Sequence, residues 1–185
     1  HTLWRDVERP FTGRNAWWWC DSLYMAPPVL ARMSAATGDP KYRELLHRLY
    51  WDSVAFLYDP AERLFSRDES QFALKSPNGK KVFWSRGNGW VLGGIARILE
   101  YLPEDDPQRP RYVELLKTMS AAIAKCQGAD GLWRPNLADP DDGVCRGAQR
   151  RGPAPSRAGR LGSALARCGA WRDHGRATPL QPCDG

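Results

Sequence analysis

No apolar run in this sequence approaches the roughly 18 residues that a membrane-spanning helix requires, so nothing in it reads as a membrane span. Histidine is scarce, at three in 185 residues, and the cysteines form neither a CxxC pair nor a metal-like spacing. Those absences exclude a cysteine-built zinc site and a disulfide framework as the organising device. Of five cysteines only Cys20 and Cys126 precede residue 142, and isolated cysteines beside helical patterns read as small buried residues. The first residue is His1, not Met, so a start segment is expected upstream and no signal peptide is legible. The compartment stays open, with bacterial cytoplasm or periplasm the expectation.

Lysine is wholly missing from residues 142–185, which hold eight Arg against three Asp. That tail carries +5 of the net charge of +6, leaving residues 1–141 at +1. A nearly neutral body lacks the basic footprint of nucleic-acid binding. Gly, Ala, Arg and Pro make 27 of the 44 tail residues. Arginine without lysine in such company is what GC-rich DNA encodes in an unintended frame; a disordered basic arm is the alternative. The division is therefore residues 1–141 as a folded body and 142–185 as a low-complexity tail, non-native or disordered.

Helical periodicity fills the body. A first helix is expected over Ser22–Thr37, through Leu23, Ala26, Leu30, Met33 and Ala36. Pro27 and Pro28 are tolerable near its start. Gly38 supplies a stop, and Asp39-Pro40 a cap and first-turn proline for a second helix over about Lys41–Tyr58. Leu64-Phe65 follows as a short extended piece. A third helix opens within Phe83–Trp90 and stops near Pro103, and a fourth runs from about Pro110 to Gln127. The halves repeat: Ala31-Arg32 matches Ala96-Arg97, Lys41-Tyr42 matches Arg111-Tyr112, and Leu64-Phe65 matches Leu132-Trp133, at spacings of 65, 70 and 68. Each unit is a helical hairpin followed by a loop bearing an aliphatic–aromatic pair. Such hairpins must stack on neighbours, in a solenoid or a closed ring. Aromatic-rich loops favour the ring, whose mouth they would line, and two hairpins cannot close one.

Everything centres on Trp17-Trp18-Trp19-Cys20-Asp21-Ser22-Leu23-Tyr24-Met25. A carboxylate among indoles is short of water, which raises its pKa and suits it to general acid work, and aromatic faces stack on sugar rings. Asp21 is equally suited to capping the helix it precedes. A second motif, Trp84-Ser85-Arg86-Gly87-Asn88-Gly89-Trp90, places a guanidinium on a glycine-bearing turn at a helix start. Arg86 can offer a fork of donors to a carboxylate or hydroxyl, Gly87 and Gly89 can let backbone come close, and Trp90 can stack. The alternative is a structural turn, with Arg86 ion-paired and Trp90 in the core.

With Gln127-Gly128-Ala129-Asp130-Gly131-Leu132-Trp133 following in order, Trp17–Pro140 resembles the unsaturated rhamnogalacturonyl hydrolases, glycoside hydrolase family 105. The resemblance implies an all-α fold, an incomplete (α/α)6 toroid of about two hairpins plus an irregular tail. It also implies a reaction on oligosaccharides left by polysaccharide lyases, which end in a 4,5-unsaturated uronic acid. One aspartate protonates C4 of the vinyl ether and helps water add at C5; the hemiketal opens and the glycosidic bond breaks. By the resemblance Asp21 is that acid/base, and Arg86, Trp90 and Trp84 bind substrate; Met25, one helical turn from Asp21, lines the pocket wall or joins the core. One carboxylic acid suffices, so the expectation is no cofactor and no metal, an oligosaccharide as partner, and neither nucleic acid nor membrane. Oligomeric state is not legible. Where some family members carry a histidine after the second helix, this chain has Ser66-Arg67-Asp68-Glu69, serving a different substrate or forming a solvated charge cluster. His47 is expected at the surface. The family's N-terminal hairpins and their further acidic residue are expected to be absent here, so the 185 residues alone are expected to be inactive. A glucuronyl hydrolase acting on glycosaminoglycan fragments, and a non-catalytic carbohydrate-binding piece or remnant, are the competing readings.

Overall fold

The computed structural model describes residues 11–142; residues 1–10 and the tail from residue 143, with the expectations placed on it, lie outside the described residues. Helices α1 (Gly13–Ala16), α2 (Ser22–Met25), α3 (Pro27–Thr37) and α4 (Pro40–Leu57) come first. Strands β1 (Tyr58–Asp59) and β2 (Leu64–Phe65), a 3-10 turn at Glu69–Gln71, and helices α5 (Ser85–Tyr101) and α6 (Arg109–Lys125) complete the order.

The signals between α3 and α4 act as chemistry demands. Gly38 takes the left-handed conformation at φ 71° and its N–H closes on Ser34, while the Asp39 carboxylate accepts the Lys41 N–H at 3.0 Å. Between α5 and α6 a side chain does comparable work. Arg109 donates to the carbonyls of Leu99 and Leu102 at 2.9 and 2.6 Å, satisfying acceptors that the end of α5 leaves open.

The first helix is not continuous, as the periodicity had suggested, but jointed at Ala26 into α2 and α3. Pro27 and Pro28 have no N–H, so the carbonyls of Leu23 and Tyr24 lose their helical donors, although Ala26 keeps helical angles (φ −86°, ψ −45°). α5 crosses at this joint. A methyl group on Gly94 would overlap the Leu23 carbonyl oxygen and come 3.0 Å from the Tyr24 Cα. Both obstacles are backbone and cannot rotate aside, so Gly94→Ala should part α2 from α5. A loss of about 3 kcal/mol is expected, at the upper end of overpacking costs, and chemical denaturation of the variant checks it.

Five helices meet in one core. Leu46, Leu49, Tyr50 and Leu57 line α4; Val91, Ile95 and Ile98 line α5; Tyr112, Leu115 and Met119 line α6; and Leu23 and Ala31 close it from α2 and α3. Each run keeps the three-or-four spacing of a buried helical face. Burying each large aliphatic chain contributes on the order of 2 kcal/mol. His47 belongs to this architecture, contrary to the surface position expected of it. Nδ1 lies 3.1 Å from the Tyr112 hydroxyl and Nε2 3.3 Å from Asp106, which also holds Arg43 at 3.3 Å. Burial, opposed by Asp106, keeps the imidazole below its ordinary pKa.

The repeat is visible in the backbone. After α4, Tyr58 pairs with Phe65; after α6, Gln127 pairs with Trp133. The residue preceding each aliphatic–aromatic pair is left-handed, Arg63 at φ 60° and Gly131 at φ 81°. Each hairpin thus ends in the same reversed loop.

Candidate active site

Asp21 stands at the head of α2 in helical conformation, and its carboxylate makes no hydrogen bond to the helix amides. It is not engaged as a cap. Its one hydrogen-bond partner among the described residues is the Cys20 thiol, with Sγ 3.4 Å from Oδ1. Cys20 is fully buried; burial first, and then the Asp21 charge, push its pKa up, so the sulfur stays protonated and can donate.

Cys20 also joins the two sequence motifs. Its backbone N–H donates to the Arg67 carbonyl at 2.9 Å. Its sulfur packs where α5 begins: a methyl on Gly87 would sit 2.8 Å from Sγ and 2.6 Å from Cε3 of Trp84. Only glycine at position 87 admits that approach. At Gly89 the reasoning does not apply, because nothing lies within 4 Å of the space a side chain would take. Gly89 instead leaves the surface beside Arg86 open.

Arg86 is exposed and forms no ion pair among the described residues. Its guanidinium carbon sits 4.7 Å from the centre of the Trp84 ring, which holds the fork over an aromatic face without occupying its donors. Trp90 is half-buried against Tyr24, ring centres 4.8 Å apart. Met25 is 57% exposed and lines a cleft of about 200 Å³ with Tyr24, Val29, Arg97 and Tyr101, a cleft whose lining does not include Asp21, Arg86 or Trp84. A second cleft of about 270 Å³, near Phe56, Tyr58, Phe72 and Lys81, likewise includes none of them. The structure therefore sets the Asp21 segment, through Cys20, against Trp84 and the head of α5, and Trp90 against Tyr24, with Met25 lining the cleft beside Tyr24.

Two asparagines that sequence reasoning left without a role hold this arrangement. Asn88 is fully buried and clamps β2, accepting the Phe65 N–H at 2.8 Å and donating to the Phe65 and Trp84 carbonyls, each at 3.0 Å. Asn136 repeats the device one segment on. It accepts from the Phe83 N–H at 2.8 Å and donates to the Lys81 carbonyl at 2.8 Å, and Asp142 takes its own N–H at 2.8 Å. The approach to α5 is thus strapped from both sides. Partners 23 and 53 residues distant leave no local signal.

The Ser66–Glu69 stretch is more ordered than a solvated charge cluster. Asp68 is buried and receives Arg67 Nε at 2.6 Å and the Ser70 N–H at 2.9 Å, together with the Ser70 hydroxyl. Burial disfavours its charge, but the Ser70 and Arg67 hydrogen bonds outweigh it and hold the carboxyl below the usual range. A depressed folded pKa contributes stability that is complete above the unfolded value and lost as pH falls through the folded one. Asp68→Asn should therefore destabilise the protein at neutral pH, and the gap to wild type should close below about pH 4. Thermal melts across pH read this directly.

Residues 2–145 match glycosyl hydrolase family 88. The chain belongs to that family. It is 49% identical over 131 residues to a protein of Formosa agariphila named unsaturated 3S-rhamnoglycuronyl hydrolase, covering 68% of this chain and 35% of that one. Among solved structures, a family 88 hydrolase from Bacteroides vulgatus superposes with a TM-score of 0.68 at 36% identity, over 74% of this chain and 39% of the other. A possible family 105 member from Salmonella enterica does so with a TM-score of 0.55 at 32% identity, over 66% and 32%. This family 88 chain spans about a third of the curated relative's length. Its described hairpins are accordingly part of an (α/α)6 toroid.

Proposed function

We propose that these hairpins carry the acid/base centre of a hydrolase that removes a 4,5-unsaturated uronic acid from the non-reducing end of an oligosaccharide. The observation that carries this reading is the uncapped Asp21 carboxylate, set through Cys20 against the turn that presents Arg86 and Trp84. Asp21, in its acid form, gives its proton to C4 of the vinyl ether. The resulting carboxylate takes a proton from the water that attacks C5. Opening of the C5 hemiketal converts C5 to a ketone and leaves C1 as a hemiacetal, which expels the neighbouring sugar as an alcohol. Arg86 pairs with the uronate carboxylate through two N–H groups, and Trp84 and Trp90 supply the aromatic faces. The names of the relatives support rhamnose as the neighbouring sugar, in a rhamnoglycuronyl or rhamnogalacturonyl linkage.

Activity is proposed for these hairpins among their neighbours, not for the 185 residues alone. Met25, Val29 and Met33, spaced four apart along α2 and α3, stand exposed as a helix face does before another helix covers it. The test grafts residues 11–142 in place of the matching segment of the Formosa agariphila relative and supplies an unsaturated uronyl–rhamnose disaccharide in D2O. Absorbance of the double bond should fall, and the released keto acid should carry one solvent deuterium at C4. A product without deuterium at C4 would mean direct attack at the anomeric carbon and end this reading.

A further inference from the structure

Cys20 meets the Arg67 carbonyl through its N–H, and each of these two residues is followed by an aspartate. The two carboxylates are held in opposite ways. Asp68 is buried and fastened by a guanidinium and a serine, with Arg67 Nε at 2.6 Å and the Ser70 N–H at 2.9 Å. Asp21 is half-buried and receives a single donor, the Cys20 thiol, whose Sγ lies 3.4 Å from Oδ1. Among the described residues, Oδ2 of Asp21 has no hydrogen-bond partner.

The sulfur is fixed from several directions. The Cys20 N–H donates to Arg67 at 2.9 Å, and the Cys20 carbonyl accepts the Leu23 N–H at 3.0 Å. Sγ abuts the head of α5, where a methyl on Gly87 would come within 2.8 Å of it. Burial and then the Asp21 charge keep the thiol protonated, so it acts as a donor. Cys126 shows the ordinary use of a helical thiol, with Sγ 3.3 Å from the Ala122 carbonyl one turn back. Cys20 stands before the first turn of α2 and gives its S–H to a side chain instead. A donor this weak orients a carboxyl group without fixing its charge. An arginine or lysine in its place would hold the carboxylate ionised and deprive it of the proton it must deliver. With Oδ1 accepting the S–H, the acidic proton belongs on Oδ2.

We infer that Cys20 is a positioning residue, whose thiol holds Oδ1 of Asp21 so that Oδ2 is the oxygen that exchanges protons with the substrate. The Oδ2–H bond breaks as the C4–H bond forms, and Oδ2 then takes the proton of the water whose oxygen bonds to C5. This rests on the proposed function, since it takes Asp21 to be the acid/base.

The contact is read first without any substrate, by infrared spectroscopy of the full 185-residue chain. A hydrogen-bonded S–H stretches at lower frequency than a free one. The difference spectrum between wild type and Asp21→Ala should therefore show one S–H band moving to higher frequency in the variant. An unmoved band overturns the inference and leaves the proposed function intact. Kinetics follow in the grafted protein, where Cys20→Ala should lower kcat about tenfold, as a misplaced reacting group does. KM should change by no more than about twofold, since binding precedes the step affected. Cys20→Ser, which keeps a donor of shorter reach, should recover part of that loss. Thermal melts of both variants separate the contact from packing. An Ala variant with wild-type kcat, or Ala and Ser losses that merely follow their melting temperatures, overturns the positioning role alone. A folded graft that leaves the double bond untouched ends the proposed function and this inference together.

Discussion

Replacing Asp21 with Asn should cut turnover by about 10³-fold or more, within the range of a lost general acid–base group, while barely moving the melting temperature. The two halves of that expectation come from the same geometry. The carboxylate makes no cap bond and no ion pair among the described residues, and the one hydrogen bond it receives there is from a thiol at 3.4 Å. The amide is nearly isosteric, keeps an oxygen for Cys20, and exposes no new apolar surface. What it cannot do is give a proton to carbon and take one back from water. Kinetics of the Asn variant in the grafted protein, beside thermal melts of both, would check this. A capping Asp21 would show the opposite pattern, with stability down by about 1 kcal/mol and chemistry intact.

A structural effect as large as that of Gly94→Ala should come from Asn88→Ala, at about 3 kcal/mol, or roughly 10 °C in melting temperature for a body of this size. One amide satisfies the Phe65 N–H, the Phe65 carbonyl and the Trp84 carbonyl, all around a fully buried side chain. Truncation strands the Phe65 N–H in the interior, and an unmade buried hydrogen bond costs more than a made one contributes. Asn88→Asp should do no better, because a carboxylate facing two carbonyl oxygens repels both. Beyond stability, Phe65 leads directly into Ser66 and Arg67, the segment that receives the Cys20 amide. The variant should therefore lose activity even at temperatures where it remains folded, and comparing activity with the melting curve separates the two.

Much of this fold can be read from residues that act locally. Gly38, Asp39 and Pro40 announce the turn between α3 and α4, because a left-handed stop, a side-chain acceptor and a fixed φ are each properties of one residue. The hairpin repeat follows from matched dipeptides, and the structure repeats it in the paired backbones at Phe65 and Trp133. The joint at Ala26 was signalled by Pro27 and Pro28, but proline is also at home in a first helical turn, so sequence could not decide between them. Burial is harder to foresee. His47 reads in the sequence as a surface residue, and Asp68 as either part of a solvated charge cluster or a substrate-facing residue. His47 is drawn inward by distant partners, Tyr112 and Asp106, whereas Asp68 is held by its neighbours Arg67 and Ser70. At the site itself, the motifs identify Asp21, Arg86 and Trp84, yet the clamps that place them involve partners far along the chain and have no local signature.

The buried sulfur of Cys20 makes the candidate site a clock for its own opening. An alkylating reagent reaches that thiol only after the Arg67 loop lifts or the heads of α2 and α5 separate. Half-buried Cys126 lies at the far end of the second hairpin and reports nothing about this event. The ratio of labelling at Cys20 to labelling at Cys126, followed peptide by peptide, therefore measures how often the candidate site's corner breathes. Ligands that close that corner should slow one thiol and leave the other unchanged.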